Sequence, residues 1–388
     1  MPSFYEFFAG GGMARAGLGK GWNCLFANDF DHKKAASYRL NWGGGPLHVG
    51  DVAKVKPDQM EGVADLAWAS FPCQDLSLAG GGAGLKGERS GTFWPFWELM
   101  GELEEEGRAP NIIALENVCG TLASHGGKDF AAIGKAFAAR GYRFGAIVVD
   151  AALFVPQSRP RLFIIGVKGD YNIPPDLIAD EPIGAFHTKQ LITAQSKLAP
   201  NVSKKWVWWK LPVPRARKST FVDLLDNPED QSAWHTPAET KTLLDMMSPL
   251  NMAKVNKAQQ SGKLAVGCVY KRTRRNAQDD KVQRAEVRFD GVSGCLRTPA
   301  GGSSRQVIVL VEGKKIRSRL ITARETARLM GLRDSYKLPD SYNDAYHLTG
   351  DGVAVPVVRH IAKHILEPVV EAIKSNENDL VDMMAEAA

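Results

Sequence analysis

Short apolar runs alternate with helical stretches over the first 170 residues of the chain. The runs are rich in Val, Ile, Phe and Ala, and they predict strands at residues 3–8, 23–27, 64–69, 111–115, 144–149 and 162–167. Helices are predicted between them at residues 32–41, 93–105 and 129–140. Strands that alternate with helices at this spacing predict an α/β fold with a mostly parallel sheet and helices on both of its faces.

The alternating pattern is lost between about residue 169 and residue 315, where prolines and basic runs are frequent. We expect a smaller, irregular domain there, and we expect Trp206, Trp208 and Trp209 to belong to its core. Helical periodicity returns at residues 322–330 and 356–374, and residues 375–388 are expected to be a frayed tail. The predicted domains are therefore residues 1–168, residues 169–340, and a C-terminal helical segment at residues 341–388 that returns to the first domain.

Composition narrows the class of protein. The chain has 388 residues, of which 44% are hydrophobic, so it can bury a sizeable core. No apolar run reaches the roughly 20 residues that span a bilayer, and the N-terminus lacks the basic start of a signal peptide. Five scattered cysteines without a C-x-x-C pair indicate neither a disulfide framework nor a metal site. A soluble, cytoplasmic protein is expected.

The basic residues are concentrated in the middle of the chain, although the net charge is only +6. Six lie between Ser203 and Ser219 without one acidic residue, and ten more lie between Lys254 and Arg288. This distribution is typical of a surface that binds phosphates. A solvated face without a partner is the alternative.

A glycine-rich turn follows the first predicted strand, with Gly10 and Gly12 before a helix. Such a turn lets the backbone approach a ligand closely, although a plain strand–helix connection would look the same. Asp29 ends the second strand, where a carboxylate can hold a ribose diol, and Asp51 can accept a hydrogen bond from an exocyclic amine. No P-loop lysine is present, so a nucleoside ligand is favoured over a triphosphate.

Cys73 comes directly after an apolar strand, at the edge where open α/β sheets bind ligands. Pro72 stiffens its approach, and the glycine-rich residues 80–89 are suited to a lid that closes over a substrate. These neighbours favour a nucleophile over the alternative, a buried apolar cysteine.

Glu116 ends the next strand, so its carboxylate is expected at the same sheet edge as Cys73 and is a candidate acid. Arg159 and Arg161 are two residues apart on an extended segment and point the same way, which suits recognition of an anion or a carbonyl. Exposed side chains without a function are the alternative for all three.

The order of these motifs resembles the cytosine-5 DNA methyltransferase family of bacteria and phages. The matching pieces are Phe8-Ala9-Gly10-x-Gly12, Pro72-Cys73-Gln74, Glu116-Asn117-Val118, Gln157-x-Arg159-x-Arg161, Arg324-Glu325-x-Ala327-Arg328-Leu329-Met330-Gly331 and Gly350-Asp351-Gly352-Val353. Residues 169–315 fall outside the resemblance and correspond to the family's variable target-recognition region. The resemblance implies a Rossmann-like methyltransferase sheet at residues 1–168 that binds the cofactor and carries catalysis.

The resemblance also implies the ligands and the site residues. The cofactor would be S-adenosylmethionine, with S-adenosylhomocysteine as product, and the partner would be double-stranded DNA. The implied cofactor-binding residues are Phe8, Ala9, Gly10, Gly12, Asn28, Asp29, Phe30, Asp51, Val52, Pro72, Phe93, Gly352 and Val353. The implied DNA-binding residues are Gln157, Arg272, Arg274, Arg275, Arg297 and Thr298. A monomer, accompanied by a cognate restriction endonuclease, is expected.

In the implied reaction, the thiolate of Cys73 adds to C6 of a flipped cytosine and makes C5 nucleophilic toward the methyl group. Glu116 would be the proton partner, while Arg159 and Arg161 would hold the flipped nucleotide. Two departures from the family stand out: Glu6 replaces the commoner Asp, and Asp351 would repel the carboxylate of the cofactor.

Two alternatives stay open on the sequence alone. An RNA cytosine-C5 methyltransferase would share this fold, although the Cys-Phe-Thr tripeptide of its tRNA-modifying members is absent. A catalytically silent protein that only binds DNA is the other, and the intact Cys73, Glu116 and arginines argue against it.

Overall fold

The computed structural model describes residues 1–72, 84–87, 90–169, 171, 173–226, 234–275, 278–298 and 305–386. The chain forms two compact units: unit 1 is Met1–Val149, Pro160–Arg215 and Val355–Ala388, and unit 2 is Asp150–Arg159 and Ala216–Ala354. Residues 169–215, which the sequence placed in the smaller domain, therefore lie in unit 1. The functions predicted for the three parts of the chain stay predictions.

Unit 1 is built on a seven-stranded sheet. Its strands are β1 Ser3–Phe7, β2 Asn23–Asp29, β3 Leu47–Val49, β4 Leu66–Ala69, β5 Ile112–Val118, β6 Tyr142–Asp150 and β7 Pro160–Lys168, in the order β3-β2-β1-β4-β5-β7-β6. The first five strands pair in parallel, and β7 runs antiparallel to β5. All six predicted strands are present. The short β3 was missed because its three residues are only half-buried and carry no apolar run.

Helices flank this sheet, and they are numbered in chain order through both units. Those of unit 1 are α1 Met13–Leu18, α2 His32–Trp42, α3 Phe93–Glu105, α4 Lys128–Ala139, α5 Lys189–Gln195, α6 Pro200–Ser203, α11 Val355–Ile361 and α12 Glu367–Glu386. A π-helical turn at Ala362–Leu366 lies between the last two. The prediction of a frayed tail is wrong, because α12 continues to Glu386; Leu380, Met383 and Met384 extend the helical spacing of apolar residues there.

The tryptophan cluster is part of the core, as predicted, but of unit 1. Trp208 and Trp209 form the short strand β9, which pairs with β8, Ile178–Ala179. Trp209 is fully buried, and its indole nitrogen donates to the carbonyl of Ile165 at 3.1 Å. The three rings therefore tie residues 206–209 to the sheet rather than forming a stacking surface.

Unit 2, expected to be irregular, contains an antiparallel sheet in the order β11-β10-β12-β13. Its strands are β10 Ala265–Arg275, β11 Lys281–Arg288, β12 Val307–Glu312 and β13 Lys315–Leu320, and its helices are α7 Pro237–Asp245, α8 Pro249–Gln260, α9 Ala323–Leu329 and α10 Tyr342–Asp351. A core that includes Val255, Val269, Ala285 and Val309 lies between α8 and the sheet. No helix in the described ranges combines the length and apolar character that crossing a membrane requires.

Gly145 of β6 offers a test of the packing in unit 1. A Cβ atom there would lie 2.0 Å from the carbonyl oxygen of Val207, and that backbone is fixed because Val207 donates to Phe144 at 2.8 Å. We expect Gly145→Ala to lower the free energy of unfolding by about 1–3 kcal/mol or more, measured by urea denaturation.

Gly184→Ala is the matched control, since a Cβ atom at Gly184 would meet nothing within 4 Å. Equal urea midpoints for the two variants would contradict the close approach of β6 to residue 207.

Candidate active site

The backbone of the turn after β1 requires glycine, and open space lies next to this turn. Gly10 and Gly12 have φ values of 56° and 75°, in the left-handed region. A Cβ atom at Gly12 would lie 2.3 Å from Nε1 of Trp42, which itself donates to the carbonyl of Gly11 at 2.9 Å. At Gly10 a Cβ atom would meet nothing within 4 Å, so open space adjoins the turn.

Two carboxylates and an aromatic ring surround this turn. Asp29 ends β2, and its Oδ2 accepts from the backbone nitrogen of Gly10 at 2.7 Å, while burial raises the pKa of its carboxyl. Phe30 is 68% exposed beside it. Asn28 donates to the carbonyl of Gly50 at 2.9 Å and so fixes the chain just before Asp51, whose carboxylate is exposed. An exposed ring, two acceptors and open space fit the adenosine part of S-adenosylmethionine.

The remaining predicted cofactor residues differ in how far they are exposed. Ala9 and Val52 are buried, and Phe8 and Pro72 are half-buried. Phe93 has no exposed surface, because it packs against Phe71 and Trp97 with ring centroids 5.5 and 5.7 Å apart. A contact of Phe93 with the cofactor would therefore require these rings to move. Gly352 and Val353 belong to unit 2, and their contact with the cofactor stays a prediction.

The ends of β4 and β5 form the second part of the site. The two strands pair in parallel as far as Ala69 and Leu115, so Glu116 follows at the same edge. Glu116 is only 6% exposed, and its Oε1 lies 3.2 Å from Nε of Arg161. Val118 pairs with Arg161 across β5 and β7, which fixes this ion pair in the sheet register.

Asn117 holds the segment that leaves β4, a role that the sequence did not predict. Its amide nitrogen donates to the carbonyl of Phe71 at 3.1 Å, and its Oδ1 accepts from Thr121 at 3.2 Å. Cys73, two residues after Phe71, lies outside the described residues, as does most of the predicted lid at residues 80–89. The position of Asn117 inside the Glu-Asn-Val motif was the available signal.

Arg159 braces segments of unit 2 that are distant in the chain. Its guanidinium is buried and donates to the carbonyls of Leu296, Gly350 and Gly352 at 2.9, 2.8 and 2.7 Å. These bonds fix the turn that carries the Gly-Asp-Gly-Val motif. Contact of Arg159 with a flipped nucleotide stays a prediction.

Gln157 is corrected from a DNA contact to an internal brace. It has no exposed surface; its Nε2 donates to the carbonyl of Leu329 at 2.8 Å, and its Oε1 accepts from the nitrogen of Leu296 at 3.0 Å. Both ends of the amide thus bind the protein, and the side chain has no surface exposed to a base or a phosphate.

The other predicted DNA-binding residues keep accessible surface. Arg272, Arg274 and Arg275 are exposed in the outer half of β10, and Arg297 is exposed. Thr298 is half-buried, and its hydroxyl donates to the carboxylate of Asp351. Asp351 therefore has a partner inside unit 2. Among the described residues, no group of three or more His, Cys, Asp or Glu side chains could hold a metal ion.

Glu6, the departure from the family's aspartate, lies beneath the glycine turn with 1% exposure. Its Oε1 accepts from the backbone nitrogen of Arg15 in α1 at 3.2 Å, and its Oε2 has no partner among the described residues. Burial raises the pKa of this carboxyl to about 8, against the opposing effect of the Arg15 charge. Glu6 is therefore mostly neutral near pH 7.

Comparison with known proteins identifies the family of this chain. The sequence matches the C-5 cytosine-specific DNA methylase family over residues 3–367. The chain belongs to this family. The match covers both motif clusters and the region between them, which confirms the resemblance found in the motifs. This methylase is accordingly an S-adenosylmethionine-dependent enzyme that methylates C5 of cytosine in DNA.

The sequences of known relatives align with almost the full length of the methylase. The Type II methyltransferase M.DsaV of Dactylococcopsis salina is 26% identical over 382 residues, covering 98% of this chain and 90% of that protein. M.HhaI of Haemophilus parahaemolyticus, also a Type II methyltransferase, is 26% identical over 372 residues, with 93% of each covered. The structure of the Entamoeba histolytica methyltransferase EhMeth has a TM-score of 0.62 at 14% identity, covering 95% of this chain and 98% of that chain. This likeness confirms the Rossmann-like methyltransferase fold.

The buried carboxyl of Glu6 makes the stability of the methylase depend on pH. The pKa of Glu6 is raised to about 8 in the folded protein, whereas its ordinary value of 4.5 applies once the chain unfolds. Ionisation in the unfolded state therefore removes stability as the pH rises between these values, by an amount on the order of a few kcal/mol. Glu6→Gln should abolish this loss, so the Tm of the variant relative to the natural protein should rise from about pH 5 to about pH 8.

Calorimetry of both proteins across this range measures the difference. A Tm difference that is the same at every pH would show that Glu6 titrates alike in the folded and the unfolded chain.

Proposed function

We propose that the methylase acts through a covalent bond between Cys73 and the target cytosine, with Glu116 as proton partner and Arg161 as the group that positions Glu116. The observation that carries this proposal is the Arg161–Glu116 ion pair at the edge of the sheet from which the Phe71-Pro72 segment leaves β4. Cys73 follows Pro72 directly in the sequence. An acid and a thiol are thus supported at one locus.

The thiol supplies the nucleophile. The thiolate of Cys73 forms a bond to C6, and the electron pair of the C5–C6 double bond moves into the ring toward C5 and N3. C5 then takes up the methyl group that S-adenosylmethionine supplies when bound. A water molecule takes up the C5 proton as the Cys73 sulfur leaves with its bonding electrons, and N3 returns its proton to Glu116, so the double bond, the thiolate and the acid are all regenerated.

Glu116 controls the charge that this addition creates. Glu116 must carry a proton when the flipped base enters. Its transfer to N3 neutralises the negative charge on the ring, and the carboxylate left behind lies 3.2 Å from the Arg161 guanidinium. Because Glu116 is nearly buried, water screens this interaction only weakly. Arg161 therefore lowers the energy of the state that follows proton transfer.

The cofactor side of the reaction is assigned to the glycine turn. Asp29 would accept from the ribose hydroxyls, Asp51 from the adenine amino group, and Phe30 would pack on the adenine ring. The open space beside Gly10 would accommodate the methionine part of the cofactor. Asp29 and Gly10 are already hydrogen-bonded to each other, so the two halves of this pocket are pre-organised.

The proposal also covers the location of the methylase, its oligomeric state, its target and its partner enzyme. The methylase would act as a cytoplasmic monomer on a specific duplex sequence, since one chain carries one set of motifs and one cytosine needs one thiol. A cognate restriction endonuclease would share that sequence, which the Type II names of the relatives support. Bisulfite sequencing of DNA from cells that express the methylase would give the sequence context of the modified cytosines.

Loss of the thiol and loss of the acid should have different effects. Cys73→Ser should abolish methyl transfer to duplex DNA while leaving DNA binding intact, because the hydroxyl is a far weaker nucleophile at neutral pH. Glu116→Gln should lower kcat by about 10²–10⁴-fold, because the amide cannot give up a proton to N3. Single-turnover transfer of a labelled methyl group to a substrate duplex measures both.

Glu104→Gln is the matched control for Glu116→Gln. Glu104 also pairs with an arginine, Arg140, at 3.1 Å, but it lies near the opposite end of β7, beside Lys168. Its variant should keep normal turnover. Full activity in Cys73→Ser, or equal kcat values in the two glutamine variants, would contradict the proposed chemistry.

A further inference from the structure

Strands β10 and β11 of unit 2 continue beyond the sheet that contains them. β12 pairs with β10 only at residues 265–269, whereas β11 pairs with β10 at residues 268–275. The six steps from residue 269 to residue 275 cover about 20 Å at roughly 3.4 Å per residue. Residues 272–275 and 281–284 are here called the ribbon, and in the described part of the chain no third strand covers it.

Side chains alternate between the two faces of the ribbon. Thr273 lies opposite Gln283 and Arg275 opposite Lys281, so these four share one face, here called the Gln283 face. Thr273, Arg275, Gln283 and Lys281 are all exposed. The Gln283 face thus presents a hydroxyl and an amide beside two cationic groups.

Like charges are placed directly opposite each other in the ribbon. Arg272 pairs with Arg284 and Arg275 with Lys281, and such cross-strand pairs destabilise a sheet. Between Tyr270 and Glu286 the chain has six basic residues against three acidic ones. A polyanion alongside the ribbon would relieve this repulsion.

Protein carboxylates compensate only part of this charge. Glu286 accepts from Nε of Arg274 at 3.0 Å and lies 3.4 Å from Nε of Arg272, on the face opposite Gln283. Asp279 pairs with Arg275 at 2.5 Å. Lys281 has no carboxylate partner in the described ranges. Lys281 therefore leaves an uncompensated charge on the Gln283 face, and Arg284, which also has no carboxylate partner in the described ranges, leaves one on the opposite face.

We propose that the ribbon enters the major groove of the substrate duplex with the Gln283 face toward the bases. Gln283 and Thr273 read base edges, and Lys281 contacts a phosphate. The major groove is about 12 Å wide and about 8.5 Å deep, and it admits a two-stranded ribbon. The two strands extend about 20 Å beyond residue 269, which is more than the depth of the groove. This assignment rests on the proposed function and names the specificity-determining residues of the same reaction.

Gln283 is tested by its effect on base selection. Once bisulfite sequencing has given the target, kcat/KM is measured on the target duplex and on duplexes with one base pair changed at each position. Gln283→Ala should lower kcat/KM for the target by roughly 5- to 150-fold and relax selection at one position, without changing the salt dependence of binding. Gln260→Ala, at the exposed end of α8, is the matched control and should behave as the natural protein.

Lys281 is tested by its effect on salt dependence. Lys281→Ala should weaken binding to every duplex alike and reduce the slope of log affinity against log salt by about one, with base selection unchanged. Lys315→Ala, an exposed lysine at the start of β13, is the matched control and should keep the natural slope.

The two possible failures can be told apart. If the natural protein methylates its target while Gln283→Ala and Thr273→Ala both keep natural selection at every position, the ribbon does not read bases and the inference is overturned. If the natural protein methylates no duplex, the proposed function itself fails.

Discussion

The ion pair between Arg161 and Glu116 is the contact on which the rest of the proposed active site depends. It joins β5 to β7 at the edge where the parallel strands end, and it holds a nearly buried carboxylate in one orientation. An unpaired carboxylate at this depth would be costly, so the arginine both permits the burial of Glu116 and fixes its direction. Asn117, the next residue, uses the same strand end to hold the segment that leads to Cys73.

The proposed cofactor side is organised in the same way, with backbone groups holding the carboxylates. Asp29 is fixed by the nitrogens of Gly10 and Asp31, and Glu6 by that of Arg15. Gly12 leaves no room for a side chain, whereas Gly10 leaves space for a ligand. Rigid secondary structure therefore supplies most of the site, as a reaction that needs exact distances requires.

Local patterns predicted the strands, the candidate acid and the nucleophile, because parallel strands bring their carboxyl ends to one edge whatever the distance along the chain. The braces could not be predicted in this way. Gln157 and Arg159 are bonded to groups that lie 137 to 193 residues away, and only the fold shows these internal partners. The sheet of unit 2 was hidden because half of β10 is buried and half is exposed, so no single period runs through it.

Trapping the methylase on DNA tests the central claim most directly. A duplex with 5-fluorocytosine at the target position allows the thiol to add but has no C5 proton to lose, so the sulfur cannot leave. With S-adenosylmethionine present, a denaturation-resistant adduct should form, and mass spectrometry of its peptides should locate the nucleotide on Cys73. Methyl transfer to ordinary DNA without any adduct on the fluorinated duplex, or an adduct on another residue such as Cys119, would contradict the account.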